Sequence, residues 1–226
     1  MATVAVILPA AGRSSRFRDK EKKPFINLDG RAVWLRTVEH FINRPEVVQC
    51  IIIIAPDDQE MFRLRFGANL AFLNVQIADG GAERFESVAN ALALVKPDVD
   101  LVAIHDAVRP CITEALITSV FAKAEKTGAA LLALPVSETV KQVNDQQQVE
   151  ATVARKGLWL AQTPQVFRRQ LLVDAYADRA KLGKDVTLIG SNDHLEIWDR
   201  SLWAERLEGI EGSADNVAQR LAEQRV

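Results

Sequence analysis

Residues 3–8, 47–55, 101–104 and 130–136 are nearly unbroken apolar runs rich in Val, Ile, Leu and Ala, and their lack of alternation limits the fold more than any other feature. A strand with one wet face alternates apolar and polar side chains, whereas a continuously apolar one needs cover on both faces. The segments between them have helical spacing. Leu35, Val38, Phe41 and Ile42 recur before Pro45, and Pro56-Asp57 opens a short helix through about Phe66. After a short strand at 75–78, Phe85, Val88, Leu92 and Val95 share a face between the Gly80-Gly81 turn and Pro97. Leu116, Val120 and Ala124 follow a Thr113 cap and stop at Gly128. This alternation predicts an α/β, Rossmann-like fold: a mostly parallel sheet with helices on both faces, joined by right-handed crossovers. Such sheets bind ligands at the carboxyl ends of their strands.

The pattern changes at residues 138–155, where Val140, Val143, Val149 and Val153 lie among polar residues around Asn144-Asp145. This reads as a protruding β-hairpin arm. A lone hairpin buries too little to stand by itself, so a homodimer packed through the arm is expected. A strand at 158–167 and a helix carrying Leu171, Leu172 and Ala175 up to Gly183 complete one domain, residues 1–185. Residues 186–226 read as a divergent tail packed on that domain, with strands at 186–189 and 195–198 and a helix at 202–207.

The net charge of −2 removes a broad basic surface for nucleic acid. With no leader-like start and no run of about 18 apolar residues, the sequence predicts a cytoplasmic protein that makes no membrane contact. Cys50 and Cys111 lack metal-ligand spacing and read as packing residues in a reducing compartment.

Four clusters fall at predicted strand ends. Pro9, Ala10, Ala11 and Gly12 let a backbone approach a ligand closely, and Arg16 and Lys23 add the positive charge that phosphates require. Gly80-Gly81 leads through Arg84 to Ser87, a turn into a helix start whose N–H groups suit a carbonyl, a base edge or an anion. His105-Asp106-Ala107-Val108-Arg109-Pro110 places a carboxylate directly after an apolar strand, a natural Mg²⁺ ligand when substrate phosphates fill the other positions. His105 itself reads as a structural hydrogen-bonder ahead of a catalytic group. The fourth cluster runs from Arg155 through Trp159 and Gln162 to Thr163. No nucleophile and base pair for covalent catalysis is evident. Cations, backbone N–H groups and one carboxylate suit nucleotidyl transfer, where catalysis is mostly positioning and charge neutralisation.

Leu8-Pro9-Ala10-Ala11-Gly12 with Arg16 and Lys23, the glycine pair with Arg84 and Ser87, Ile104 to Pro110, Pro135 to Lys141, and Leu158 to Gln165 together resemble the 2-C-methyl-D-erythritol 4-phosphate cytidylyltransferase family over roughly residues 3–185. The resemblance implies transfer of the cytidylyl group of CTP to a sugar-alcohol phosphate, methylerythritol 4-phosphate, with release of pyrophosphate in isoprenoid synthesis. It implies Arg16 and Lys23 as the cations at the α-phosphate, and Pro9, Ala10, Ala11, Gly12, Gly80, Gly81 and Ser87 around the cytidine. Asp106 would hold Mg²⁺. Ala107, Arg109, Thr139 and Lys141 would face the sugar phosphate, with Arg155 and Thr163 beside them and Arg155 reaching across a dimer interface.

Three departures from the family pattern bear on these roles. Ser14 replaces a loop glycine. Lys22-Lys23-Pro24-Phe25 replaces Pro-Lys-Gln before the aromatic, so the choice of Lys23 over Lys22 rests on the alignment of Phe25. Beyond Asp185 the family's acidic segment is missing, and Ala218 stands where a substrate-phosphate lysine belongs. Residues 190–203 instead resemble the ends of AbrB-like transcription-regulator barrels. A ribitol 5-phosphate cytidylyltransferase and a non-catalytic binding protein on a transferase fold are the alternatives.

Overall fold

The computed structural model describes residues 1–12, 22–179, 186–190 and 195–199. In chain order come β1 (Val4–Pro9), a 3-10 turn (Lys23–Phe25), the two-residue strands β2 (Asn27–Leu28) and β3 (Arg31–Ala32), and α1 (Val33–Ile42). Next are β4 (Val47–Ile54), a 3-10 turn (Pro56–Asp58) leading into α2 (Gln59–Phe72), β5 (Val75–Asp79), α3 (Arg84–Leu92), β6 (Leu101–Ile104) and α4 (Glu114–Thr127). β7 (Ala129–Pro135) leads into the arm strands β8 (Val140–Val143) and β9 (Val149–Val153), and β10 (Trp159–Arg168) returns to the sheet before α5 (Arg169–Arg179). β11 (Val186–Gly190) and β12 (Leu195–Asp199) pair antiparallel, at the strands expected in the tail.

The six-stranded sheet has the order β5-β4-β1-β6-β10-β7. β5, β4, β1 and β6 run parallel, and β10 is antiparallel to both of its neighbours. The expected mostly parallel sheet is therefore present, with one reversal. That reversal follows from the arm: the chain leaves β7, folds through the β8–β9 hairpin and comes back in the opposite direction.

β1 and β4 are sealed on both sides, as their composition requires. Val6, Leu8, Ile52 and Ile54 join Trp34, Phe41, Phe62, Ile117 and Phe121 in one core under α1, α2 and α4. On the sheet's other face Ile7, Ile51 and Ile53 are fully buried, and α3 packs on β1, β4 and β5. The Thr113 hydroxyl accepts from the Leu116 amide, and Gly128 ends α4 at φ +87°, a left-handed value that favours glycine. The phase of that helix differs from expectation. Leu116 is 44% exposed, and the buried positions are Ile117, Val120, Phe121 and Ala124. α2 runs to Phe72 instead of about Phe66, because Leu70 extends its buried stripe past Gly67. α3 ends at Leu92, and Val95 is still buried through a turn that returns its N–H to the Leu92 carbonyl. In α5 only Leu172 of the expected trio is buried, while Leu171 and Ala175 are exposed. Cys50 is buried as expected, but Cys111 is exposed and is not a packing residue.

The chain divides into two compact units, Met1–Val173 and Asp174–Val226. The expected helix end at Gly183 and the helix at 202–207 lie outside the described residues. Among the described residues no helix is long and apolar enough to cross a membrane.

Candidate active site

Hydrogen bonds that continue past the ends of β1, β4 and β5 shape the floor of the site. The Ala10 amide donates to the Ile53 carbonyl (3.0 Å), the Gly80 amide to Ile54 (2.8 Å) and the Ala107 amide to Pro9 (3.3 Å). These bonds hold the segment after β1 against both neighbouring turns. A Cβ on Gly80 would lie 2.6 Å from the Ala11 Cβ and 3.3 Å from the Ala55 Cα, so only glycine lets the two loops meet. A Cβ on Gly81 would meet the Glu86 Cβ at 2.5 Å. The Gly81 amide donates to the Ser87 hydroxyl (2.9 Å), which in turn donates to the Glu83 carbonyl (3.0 Å). Glu83 and Glu86 form a reciprocal capping box at the start of α3. The helix start is thus less open than its sequence suggests, since one of its free N–H groups is capped from within.

Asp106 stands at the end of β6 between two guanidinium groups. Arg109 Nε donates to Oδ2 (2.9 Å), and Arg84 Nη2 lies 2.9 Å from Oδ1. Arg109 Nη1 also donates to Gln162 Oε1 (2.7 Å). Burial pushes the Asp106 carboxyl upward, but the Arg109 hydrogen bond and the Arg84 charge outweigh it and hold the group below the usual carboxylate range. Oδ1 is buried and faces Arg84 as an ion pair. A carboxylate oxygen with lone pairs to spare fits Mg²⁺, which takes one or two protein carboxylates and completes its shell with phosphate oxygens and water. No group of three or more metal-ligating side chains occurs among the described residues, so the ion's other ligands would have to be substrate and water.

A model of the family described as 2-C-methyl-D-erythritol 4-phosphate cytidylyltransferase matches residues 4–195. The chain belongs to that family. A cytidylyltransferase of this name from Rhodopirellula baltica is 36% identical over 228 aligned positions, 96% of this chain and 89% of that protein. Another, from Solibacter usitatus, is 40% identical and covers 80% of this chain and 78% of its own length. The crystal structure of the cytidylyltransferase from Francisella tularensis superposes with a TM-score of 0.65 at 30% identity, over 80% of this chain and 79% of that one. The 4-diphosphocytidyl-2C-methyl-D-erythritol synthase of Anaerococcus prevotii gives 0.68 at 26% identity, over 82% and 78%.

In this cytidylyltransferase chain the structure brings together Pro9, Ala10 and Ala11, the glycine pair with Ser87, and Asp106, Ala107 and Arg109 with Thr163. Ser87 and Thr163 are buried, and their hydroxyls are engaged by the protein itself. Gly12 is exposed at the rim. Arg16 lies outside the described residues, as do Ser14 and Ala218. Lys22 forms an ion pair with Asp58, while Lys23 opens the 3-10 turn whose Phe25 is buried against Phe62 and Phe66. Thr139, Lys141 and Arg155 belong to the arm. Lys141 Nζ donates to Thr152 Oγ1 (2.6 Å) across the hairpin, Arg155 donates to the Ser137 carbonyl at its base, and Thr139 is exposed. Two contributors had no assigned role in the sequence reading, Arg84 and Gln162. Each lies in a quoted motif, but only the fold shows that the start of α3 and the middle of β10 converge on Asp106 and Arg109.

Proposed function

We propose that the protein transfers the cytidylyl group of CTP to 2-C-methyl-D-erythritol 4-phosphate, with Asp106 holding Mg²⁺ and two chains pairing through the arm. The observation that carries this reading is the single carboxylate of Asp106, held ionised between Arg84 and Arg109 at the strand ends beside a glycine turn that admits no side chain. A phosphate oxygen of the second substrate forms a bond to the α-phosphorus, and the bond to the bridging oxygen breaks to release pyrophosphate. Asp106 would hold the magnesium ion, whose charge would offset that of the substrate phosphates. The Pro9–Gly12 segment and the glycine pair receive the nucleotide, Lys23 and Arg16 stabilise charge at the α-phosphate, and Arg109 with the arm residues Thr139, Lys141 and Arg155 receives the sugar phosphate.

Support for pairing comes from apolar surface. Leu134 and Leu160 lie opposite each other in the β7–β10 register, and they, Trp159 and the arm residues Val143 and Val149 are all more than half exposed. The activity is tested by pyrophosphate release with CTP and either methylerythritol 4-phosphate or ribitol 5-phosphate. Turnover with the former is expected; turnover with ribitol 5-phosphate alone would reassign the second substrate, and none with either would overturn the reading.

A further inference from the structure

The turn from Asp106 to Pro110 is braced from beneath by side chains. Its carbonyls at Ala107, Arg109 and Pro110 point into the protein, where they meet Thr37 Oγ1 (2.8 Å), His105 Nε2 (3.1 Å) and His40 Nε2 (2.9 Å). With three carbonyls held by side chains, the turn has a fixed course, and within it Arg109 Nε meets Asp106 Oδ2 at 2.9 Å. Of the three anchors only His105 reaches a second element. Its Nδ1 lies 3.0 Å from the Thr163 hydroxyl on β10, and that oxygen also accepts from the Asp106 amide (3.4 Å). The ring is fully buried and packs on Phe41, with centroids 5.1 Å apart.

The pairing fixes the proton positions. A carbonyl can only accept, so Nε2 carries the hydrogen toward Arg109. In a neutral ring with its hydrogen on Nε2, Nδ1 can only accept, so the Thr163 hydroxyl donates there while its oxygen accepts from the Asp106 amide. We propose that His105 is a positioning residue: as the Nε2–H tautomer it splints the Asp106–Arg109 turn between the Arg109 carbonyl and the Thr163 hydroxyl, and so aims both side chains at the reacting phosphates. Thr163 then acts through His105 and the Asp106 amide, next to Gln162, which receives the Arg109 guanidinium. The inference rests on the proposed roles of Asp106 and Arg109.

His105→Phe keeps an aromatic ring against Phe41 but removes both hydrogen bonds. Expected is a fall in kcat/KM for the sugar phosphate of about 10²-fold, the scale of a misplacement of about 1 Å, with CTP affinity by calorimetry unchanged. In an Arg109→Ala background the same substitution should cost far less, because it has lost what it positions. Equal costs in both backgrounds, or a parallel loss of CTP affinity, would overturn the proposal. Should His105→Phe fail to fold, Thr163→Val must reproduce the loss and Thr163→Ser must restore activity; a reversed order overturns it. Nitrogen NMR of the wild-type imidazole reads the tautomer without any turnover: Nε2–H is expected, and Nδ1–H would overturn the proposal. A wild type that shows this tautomer but does not turn over would instead defeat the functional reading.

Discussion

Two adjacent lysines have unlike surroundings. Lys22 is tied to Asp58 at the 3-10 turn before α2. Lys23 opens a turn that buried Phe25 anchors in the aromatic cluster of Trp34, Phe62 and Phe66, and that anchoring gives its Cα a fixed place. Lys23→Ala should lower kcat by about 10²- to 10³-fold, the cost of removing one preorganised contact to transition-state charge. Lys22→Ala should cost no more than about 1 kcal/mol of stability, the range of a solvent-accessible ion pair, and leave kcat nearly unchanged. Steady-state kinetics on the two variants decides between them, and a reversed order moves the role to Lys22. The cysteines make a second contrast. Burial pushes the Cys50 thiol up to about 12, whereas Cys111 is exposed. At pH 8 a thiol reagent should therefore modify only Cys111 in the native protein, and Cys50 should react on unfolding. Native labelling of Cys50 would show that β4 opens.

At the scale of elements, the site depends on how closely the segment after β1 approaches the turn after β5. Gly80→Ala places a Cβ 2.6 Å from the Ala11 Cβ, between backbones held by the Gly80–Ile54 and Ala10–Ile53 hydrogen bonds. A loss of about 1–3 kcal/mol in thermal unfolding is expected, as for an overpacked core, together with a raised KM for CTP. Among the described residues nothing lies within 4 Å of a Cβ placed on Gly12, so Gly12→Ala should raise the CTP KM with little change in melting temperature. These glycines also show what the sequence makes legible. Unbroken apolar runs predict a doubly covered sheet because nothing else satisfies them, and the Thr113 and Gly128 caps bound α4 through local chemistry alone. The phase of α4 and the length of α2 are not legible in the same way, because several apolar positions compete for one core and packing against neighbouring elements selects among them. The Asp106 cluster was legible as motifs but not as a network. Arg84 and Asp106 are 22 positions apart, and Arg109 and Gln162 are 53 apart, so their contacts follow from strand order and not from spacing.

For the whole molecule the open quantity is the assembly. β10 enters the sheet between β6 and β7 at one end, while its start, paired with the end of β7, leaves Trp159, Leu134 and Leu160 exposed. Exposed apolar side chains this large on an ordered sheet end mark an interface more often than free surface. The arm adds Val143 and Val149 to the same polarity pattern. Leu134 and Leu160 are cross-strand partners, so a charge on either also strands the other. If two chains pair through the arm as proposed, Leu160→Glu should shift sedimentation equilibrium from dimer to monomer while far-ultraviolet circular dichroism is unchanged. The consequence for activity is directional. The turns proposed to receive the nucleotide belong to the sheet of one chain, whereas Thr139, Lys141 and Arg155 lie on the arm. A monomeric Leu160→Glu variant should keep its affinity for CTP and lose turnover through a raised KM for the sugar phosphate. A variant that is monomeric yet fully active would confine both substrate sites to a single chain, and a variant that stays dimeric would place the interface elsewhere on the surface.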